Sequence, residues 1–260
     1  MNSKVPKYLI RHIAVVLFSY DERDNLLRLL RRIHNTLKQI IPDSQLQYAI
    51  CVQGTDGTLD EAKLFSKEVD AEAKVYIYHT EQPLGVGMAC VKAFEQVHGL
   101  PDAYLMMDCD CNHQPEELPI FLEKIEKNTV VVGSRFCPGG KTVGLPTWKL
   151  VFSVIFNHLT SFILKIPVRD KTSGYRLIAY SDTPEIAKQV AGKGFDFYIE
   201  FLFRMWMRGL NVVEVPICFL VRTKGVSKMR ISNTIVDYVR LMTRLYKIKK
   251  YGQVNKSAAS

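Results

Sequence analysis

The stretch that decides the fold reads AYLMM at residues 103–107 and DCDCNH at residues 108–113. A short apolar run between polar neighbours has the pattern of a buried strand. Asp108 and Asp110 would leave the carboxyl end of this strand together, where open α/β sheets bind their ligands. Two carboxylates supply hard oxygen atoms that suit Mg²⁺ or Mn²⁺. The stretch predicts a metal site at a sheet edge; a solvated loop is the alternative for so short a pair.

On either side of this strand, strand-like and helix-like patterns alternate. Short apolar runs predict further strands at residues 13–18, 48–52, 74–78 and 129–133. Helical patterns lie between them, including residues 24–40, where apolar side chains recur three and four positions apart, and residues 115–127. This alternation predicts an α/β fold with a Rossmann-like, mostly parallel sheet flanked by helices.

The pattern changes after about residue 135. Residues 148–165 predict a helix that is apolar nearly all round, apart from a narrow polar stripe: Lys149, Ser153, Asn157, Ser161 and Lys165. Such a helix either belongs to the core or lies against lipid or a partner. Residues 169–176 predict a polar loop, and 195–208 a core helix in which Glu200 either orients a substrate or pairs with an arginine.

The last third also predicts an edge strand and a basic helix. Pro216 interrupts the strand pattern of residues 212–221, which favours an edge position. Residues 231–250 are amphipathic and basic, as expected for a helix that is solvated on one face or rests on an anionic membrane.

Composition limits the possible classes of protein. The 260 residues are 47% apolar, which is enough for a hydrophobic core. Their formal net charge of +9 permits anionic partners. No base-stacking or recognition-helix pattern accompanies the charge, so nucleic acid is not expected as a partner. The six cysteines do not form a disulfide or zinc pattern and predict reduced thiols in the cytoplasm. No apolar stretch reaches the ~20 residues of a membrane span.

Several segments, in order, resemble motifs of the family-two glycosyltransferases of the GT-A fold, and within them the dolichyl- and polyprenyl-phosphate mannosyltransferase-like branch. They are SYDERDNL at 19–26, GTDGT at 54–58, LGVG at 84–87, DCD at 108–110, GSRF at 133–136, DKTSGYR at 170–176, EVPI at 214–217 and RTKGVSK at 222–228. The resemblance implies one GT-A domain over residues 1–251. Its parts would be a nucleotide-binding half at about 10–135, an acceptor-binding half at about 136–230, and the basic helix at about 231–250, before a disordered tail at 252–260.

The resemblance also implies a chemistry. A hexose such as mannose or glucose would pass, with inversion, from a nucleotide-sugar donor to a polyprenyl or dolichyl phosphate, with Mg²⁺ or Mn²⁺ as the cofactor. The metal would be held by Asp108, Asp110 and Asn112, and the residues that act in catalysis would be Asp110, Arg135 and Arg222. The donor would be bound by Tyr20, Glu22, Gln53, Asp56, Gly85, Asp108 and Lys228. The acceptor would be bound by Ser173 and Arg176. A lipid phosphate is already an anionic nucleophile, so cations that hold two anionic substrates together matter more than a general base.

Two departures from the family's pattern affect these expectations. Val52-Gln53 stand where the family usually has Asp-Asp, so the nucleotide base and the sugar are left open. Many relatives carry C-terminal transmembrane helices and this chain shows none, which favours peripheral attachment to the cytoplasmic face of a membrane, a membrane-anchored partner subunit or a homo-oligomer. A soluble or glycan acceptor and a non-catalytic module that binds nucleotide sugars are the alternatives.

Overall fold

The computed structural model describes residues 8–194, 196–221 and 238–250 of the chain. The strands are β1 His12–Tyr20, β2 Gln45–Gln53, β3 Ala73–Thr80, β4 Ala103–Met106, β5 Thr129–Ser134, β6 Lys141–Val143, β7 Arg176–Ala179, β8 Asn211–Pro216 and β9 Cys218–Leu220. The helices are α1 Leu26–Ile40, α2 Thr58–Glu68, α3 Val86–Phe94, α4 Leu118–Leu122, α5 Thr147–Leu164, α6 Thr183–Lys188, α7 Asp196–Met207 and, at residues 238–250, α8. A short 3₁₀ helix, Pro115–Glu117, precedes α4.

The main sheet has seven strands in the order β3-β2-β1-β4-β7-β5-β8. β7 is antiparallel to both of its neighbours, and every other adjacent pair is parallel. The predicted mostly parallel α/β sheet is therefore confirmed. β7 itself was missed: it has four residues, too few to show a period, and follows directly on the segment predicted as a loop.

Two other predicted elements are shorter than expected. The single helix expected at residues 115–127 is the 3₁₀ turn followed by the five residues of α4. The strand expected at 212–221 divides at Ile217, because β8 forms an edge of the main sheet while β9 pairs with β6 in a separate two-stranded sheet. The edge position predicted from Pro216 is confirmed.

The core lies in two layers, one on each face of the sheet. On one face, α1 buries its apolar stripe completely, including Leu29, Ile33 and Leu37. On the other face, α3 and α7 pack with α8, where Phe201 and Leu241 are fully buried. Each such side chain contributes roughly 1.5–3 kcal/mol when it leaves water, so the two layers stabilise the sheet between them and fix the position of its carboxyl edge.

That edge collects the loops of the parallel strands. Tyr20 and Gln53 are register partners at the ends of β1 and β2, and the Gly54 N–H donates to the Thr80 carbonyl beyond them at 2.9 Å. β4 is parallel to β1, so residues 107–113 emerge at the same edge. The loops that follow β1, β2 and β4 therefore converge, as expected for a ligand site in an open α/β sheet.

Candidate active site

Asp108 lies just beyond β4 and receives hydrogen bonds from two distant parts of the chain. The Tyr198 hydroxyl on α7 donates to its Oδ1 at 2.5 Å, and His113 Nε2 lies 3.1 Å from its Oδ2. Burial alone would raise the pKa of Asp108, but the hydrogen bond and charge of His113, with smaller effects from Tyr198 and Arg135, hold it below its ordinary value. Asp108 is therefore an ionised carboxylate in a fixed orientation.

Asp110 and Asn112 form a tight turn beside it. The Asn112 side-chain amide donates to Asp110 Oδ2 at 2.6 Å, and the Asn112 backbone N–H donates to Oδ1 at 3.1 Å. Cys111, between them, has a φ of 59°, and its thiol lies 3.4 Å from the Asn25 carbonyl oxygen. The turn thus brings Asp108, Asp110 and Asn112, together called the acidic motif, against the segment that follows β1.

These residues fit an incomplete coordination shell for a hard divalent cation. Asp108 and Asp110 offer carboxylate oxygens, and Asn112 offers an amide oxygen. In the part of the chain that the structure describes, no group of three or more His, Cys, Asp and Glu residues is placed to hold an ion alone. An ion at this turn would need oxygen ligands from a substrate, which is how Mg²⁺ is usually bound beside phosphates.

Gly174 brings the loop at residues 170–176 into direct contact with the acidic motif. A Cβ atom at this position would lie 2.4 Å from Asp108 Oδ1 and 2.9 Å from its Cγ. Only a residue without a side chain can pass so close to a carboxylate that Tyr198 already holds. The glycine therefore sets the distance between this loop and Asp108.

We expect Gly174→Ala to lower the rate of any reaction at this site by about ten- to a hundredfold, because the new methyl group would push Asp108 aside and small displacements in an active site are costly. Overpacking should also lower the free energy of unfolding by about 1–3 kcal/mol. Steady-state kinetics and chemical denaturation measure the two effects. Gly194→Ala is the matched control, since its Cβ would meet its nearest atom at an ordinary 3.5 Å. Equal losses in both variants would contradict the proposed contact.

Arg135 is paired with a buried carboxylate. Its Nε donates to Asp170 Oδ2 at 2.7 Å and its Nη2 to Asp170 Oδ1 at 2.9 Å, a bidentate contact that also includes the Thr172 hydroxyl at 2.7 Å. The guanidinium stacks over the rings of Phe136 and Phe219, with its carbon 4.9 and 5.2 Å from their centroids. Arg135 is thus held beside the acidic motif, and most of its charge is balanced by Asp170.

Arg176 and Ser173 lie deeper than the sequence predicted. Arg176 is fully buried and donates to the backbone carbonyls of Ser173 at 3.0 Å, Lys171 at 3.1 Å and Tyr198 at 2.8 Å. Burial lowers the pKa of Arg176 to about 10. Ser173 is 3% exposed, and its hydroxyl accepts from the Tyr175 N–H at 3.3 Å. Arg176 is the first residue of β7 and lies in the core. The side chains of Arg176 and Ser173 therefore form hydrogen bonds within the loop and are not exposed at its surface.

The predicted donor side is assembled around Gln53. Its side-chain amide donates to the Ser19 carbonyl at 3.1 Å, and its oxygen accepts from the Leu84 N–H at 2.7 Å, while Gln53 itself is only 4% exposed. Tyr20, its register partner, is 37% exposed. The neutral amide of Gln53 therefore ties the ends of β1 and β2 to the loop before α3.

The other predicted donor residues join the same edge. The Thr58 hydroxyl accepts from the Glu22 N–H at 2.9 Å and donates to Asp56 Oδ1 at 2.6 Å, which links the segments after β1 and β2. Gly85 has a φ of 79°, and a Cβ there would lie 2.7 Å from the Lys193 carbonyl oxygen. The structure thus brings together Tyr20, Glu22, Gln53, Asp56 and Gly85, whereas Arg222 and Lys228 lie outside the described residues.

Comparison with known proteins decides the family. The family model described as glycosyl transferase family 2 matches residues 14–197, which contain all of these loops. The chain belongs to glycosyl transferase family 2. It is therefore a glycosyltransferase, and the resemblance seen in its motifs is confirmed.

Two curated relatives of this family 2 enzyme are similar over most of its length. The polyprenol monophosphomannose synthase of Mycolicibacterium smegmatis is 31% identical over 247 residues, which cover 92% of this chain and 86% of the relative. The undecaprenyl-phosphate mannosyltransferase of Micrococcus luteus is 32% identical over 221 residues, which cover 84% of this chain and 87% of the relative.

A solved structure shows the same fold at lower identity. The glucosyl-3-phosphoglycerate synthase of Mycobacterium tuberculosis, in complex with phosphoglyceric acid, superposes with a TM-score of 0.60 at 16% identity. The match covers 91% of this chain and 79% of that protein. The GT-A fold predicted for this family 2 enzyme is confirmed.

Three residues that the sequence did not single out support the site. His113 and Tyr198 hold the two oxygens of Asp108, and Lys171, within the loop at 170–176, is completely buried. His113 follows the acidic motif and could have been suspected from that position. Tyr198 lies 90 residues away from Asp108, and no spacing in the sequence connects them. Lys171 stands at a position that the resembling motif leaves unspecified.

Glu200 proves to be an arginine partner, one of the two alternatives that the sequence left open. It is fully buried, and its Oε1 accepts from Arg204 Nη2 at 2.7 Å. Its Oε2 accepts from Arg244 on α8 and from the Gly192 N–H at 3.2 Å. Glu200 therefore ties α8 and the loop before α7 together behind the site.

Proposed function

We propose that this glycosyltransferase moves a hexose, such as mannose or glucose, from a nucleotide-sugar donor to a polyprenyl or dolichyl phosphate, with inversion at the anomeric carbon. One of the two relatives is a polyprenol monophosphomannose synthase and the other an undecaprenyl-phosphate mannosyltransferase, which supports this class of acceptor. The observation on the chain itself that carries the proposal is the exposed surface of α5, on which large apolar side chains predominate.

The exposed surface of α5 is mostly apolar, although Thr147 and His158 are exposed on it as well. Its outward residues are more than two-fifths exposed: Trp148, Val151, Phe152, Ile155, Leu159 and Phe162. Asn157 and Thr160, by contrast, are buried. Only Asn157, Thr160 and Leu164 of this helix are buried, which favours a helix that lies against lipid or a partner over a core helix. A contiguous apolar patch of this kind marks a contact with lipid or with another protein.

By length and composition, α5 could cross a membrane, although the sequence was expected to offer no such stretch. Only 17% of the helix is buried in the domain. However, α8 packs along its inner side, where Lys249 Nζ donates to the carbonyls of Ile163 at 3.2 Å and Leu164 at 3.1 Å. A helix attached to a folded domain in this way fits a position in the plane of the membrane surface, where basic side chains favour anionic lipid.

This placement would bring the enzyme to its acceptor. We propose peripheral attachment to the cytoplasmic face of a membrane, which agrees with the six cysteines, all of which are free thiols. An apolar helix of a membrane-anchored partner subunit, or a second copy of the chain, would fit the same face of α5 and is a distinct outcome of the tests below.

The acidic turn would hold the donor diphosphate through a divalent cation. Bound Mg²⁺ or Mn²⁺ would neutralise the charge that develops on the departing nucleoside diphosphate. Asp108, Asp110 and Asn112 supply the protein's oxygen ligands, and His113 and Tyr198 keep Asp108 in place. Arg135 contributes a guanidinium already oriented by Asp170, and we expect Arg222 and Lys228 to add the cations that hold the phosphate of the acceptor.

The test of the function is a panel of nucleotide sugars (GDP-mannose, UDP-glucose and UDP-N-acetylglucosamine) with Mn²⁺ or Mg²⁺ and a short polyprenyl phosphate. We expect metal-dependent transfer from one donor, and none when the lipid phosphate is omitted. Transfer only to a soluble sugar or glycan would overturn the lipid acceptor and keep the enzyme class. Donor binding without any turnover would instead favour a non-catalytic role, which Gln53 at the place of an acidic residue makes worth testing.

We expect the double variant Ile155→Ser/Leu159→Ser to bind anionic vesicles at least about tenfold more weakly than the natural protein, because burying one large aliphatic side chain is worth roughly 1.5–3 kcal/mol. Both side chains are more than half exposed, so the free energy of unfolding should change by less than about 0.5 kcal/mol per site. Cosedimentation with vesicles of phosphatidylcholine and phosphatidylglycerol measures the binding.

Leu64→Ser is the matched control for that double variant, since Leu64 is a 46% exposed leucine on the separate helix α2. It should bind vesicles as the natural protein does. Unchanged vesicle binding in the α5 variant would contradict the membrane contact. A natural protein that is a dimer and an α5 variant that is a monomer would assign this face to a second copy of the chain.

A further inference from the structure

Two residues of the polar stripe of α5, Asn157 and Ser161, form hydrogen bonds with one buried lysine. Lys171 is 0% exposed, and its Nζ donates to the Ser161 hydroxyl at 2.5 Å, to the Asn157 carbonyl at 3.5 Å and to the Val168 carbonyl. The Lys171 backbone N–H donates to Asn157 Oδ1 at 2.8 Å. Lys171 therefore hydrogen-bonds two successive turns of the helix from inside the domain.

The contact is unusual because all of these acceptors are neutral. Burial lowers the pKa of Lys171 to about 8, although the charges of Asp170 and Glu214 oppose this change. A buried ammonium group without a carboxylate in contact costs folding free energy, which a methionine of similar length would avoid. Local choices that oppose stability are found mainly at functional sites.

The loop that begins at Lys171 ends at the acidic motif. The Lys171 carbonyl accepts from Arg176 Nη2 at 3.1 Å, and Asp170 on its other side binds Arg135. Gly174, three residues on, lies against Asp108. Residues 170–176 thus form one closely bonded unit, with its start fixed to α5 and its middle in contact with the acidic motif.

We propose that Lys171 is a positioning residue that transmits the seating of α5 on a membrane surface to the loop at 170–176 and, through Gly174, to Asp108. The proposal rests on the proposed function in that it takes the outer face of α5 as the membrane contact. A rotation or shift of α5 on docking moves Asn157 and Ser161 together, and Lys171 carries this movement to the loop. Because a displacement of about 1 Å in an active site can change turnover by about a hundredfold, a small shift suffices.

The test compares Lys171→Met with the natural protein by hydrogen–deuterium exchange of a peptide that covers residues 170–176, with and without vesicles of phosphatidylcholine and phosphatidylglycerol. We expect vesicles to slow exchange in this peptide of the natural protein by at least about threefold. In Lys171→Met, vesicle binding should be unchanged but the exchange of the peptide should no longer respond. The stimulation of kcat by vesicles should fall by about tenfold, with the KM for the donor within about twofold of the natural value.

Two further variants keep the result interpretable. Ser161→Ala removes one acceptor of Lys171 and leaves its charge, so it should reduce the exchange response partially even if Lys171→Met folds poorly. Lys188→Met removes an exposed lysine of α6 and should behave as the natural protein. A general loss of structure would lower turnover equally with and without vesicles, which a loss of coupling would not.

The outcomes separate this inference from the proposed function. Normal transfer to polyprenyl phosphate together with an intact vesicle response in Lys171→Met would overturn the coupling and keep the function. No transfer to any lipid phosphate, with a vesicle response that depends on Lys171, would overturn the function and support the coupling. Absence of vesicle binding by the natural protein would overturn the coupling and the peripheral attachment, and would keep the transfer to lipid phosphate, which the panel of nucleotide sugars tests separately.

Discussion

Asp110→Asn should lower kcat for sugar transfer by at least about a thousandfold, because the variant removes one of the two charges that would hold a divalent cation on the leaving diphosphate. The amide is nearly isosteric and can still accept a hydrogen bond from Asn112, which donates to Asp110 in the natural protein. The free energy of unfolding should therefore remain within about 1 kcal/mol. Loss of activity in a folded protein would assign a chemical role to the carboxylate.

The measurement should include a readout other than turnover. Calorimetric titration of Mn²⁺ in the presence of a nucleoside diphosphate should show binding to the natural protein and at least about tenfold weaker binding to Asp110→Asn. Asp60→Asn, at an exposed position in the first turn of α2, is the matched control and should change neither property. If the variant kept more than a tenth of the natural kcat, Asp110 would not be the essential ligand.

Asp170→Asn should lower the free energy of unfolding by about 3–5 kcal/mol, because it leaves the guanidinium of Arg135 without its buried partner. Asp170 is fully buried, and it binds both Nε and Nη2 of Arg135. Freed from this contact, Arg135 would also lose its orientation beside the acidic motif, so we expect kcat to fall by about tenfold or more. Urea denaturation and steady-state kinetics measure the two changes.

The pH dependence of this loss has a definite sign. Burial alone would raise the pKa of Asp170, but the charge and hydrogen bonds of Arg135 lower it below its ordinary value of about 4. The unfolded state therefore takes up the proton first as pH falls, so the stabilisation is complete above about pH 4 and is lost as pH decreases through the lower native pKa. The difference in unfolding free energy between the natural protein and Asp170→Asn should shrink over that range.

The exposed Asp43→Asn provides the comparison for these measurements, since it removes a carboxylate at the surface and should change the unfolding free energy by less than about 0.5 kcal/mol. A loss in Asp170→Asn no larger than in Asp43→Asn would show that the buried pair contributes little net stability. A difference that grew as pH fell would contradict the direction of the pKa change.

Local sequence patterns were sufficient for the elements with a clear period. The spacing of apolar residues predicted α1 and the strands on either side of the acidic motif, because burial of one face requires that spacing. β7 could not be predicted in this way, since Arg176 opens it and four residues show no period. Its antiparallel insertion between β4 and β5 depends on pairing across the sheet, which is a property of the fold and not of the segment.

The sequence by itself determined the family, the α/β alternation and the acidic motif at the carboxyl edge, because periodicity and short motifs are recorded in neighbouring residues. Tertiary structure alone decided which charged groups are buried or paired with one another. Arg176 and Lys171 are buried, Arg135 is paired with Asp170, and Tyr198 holds Asp108 from 90 residues away. The physical reason is that burial and charge pairing depend on contacts between distant segments, as does the burial of Asn157 of α5 against Lys171.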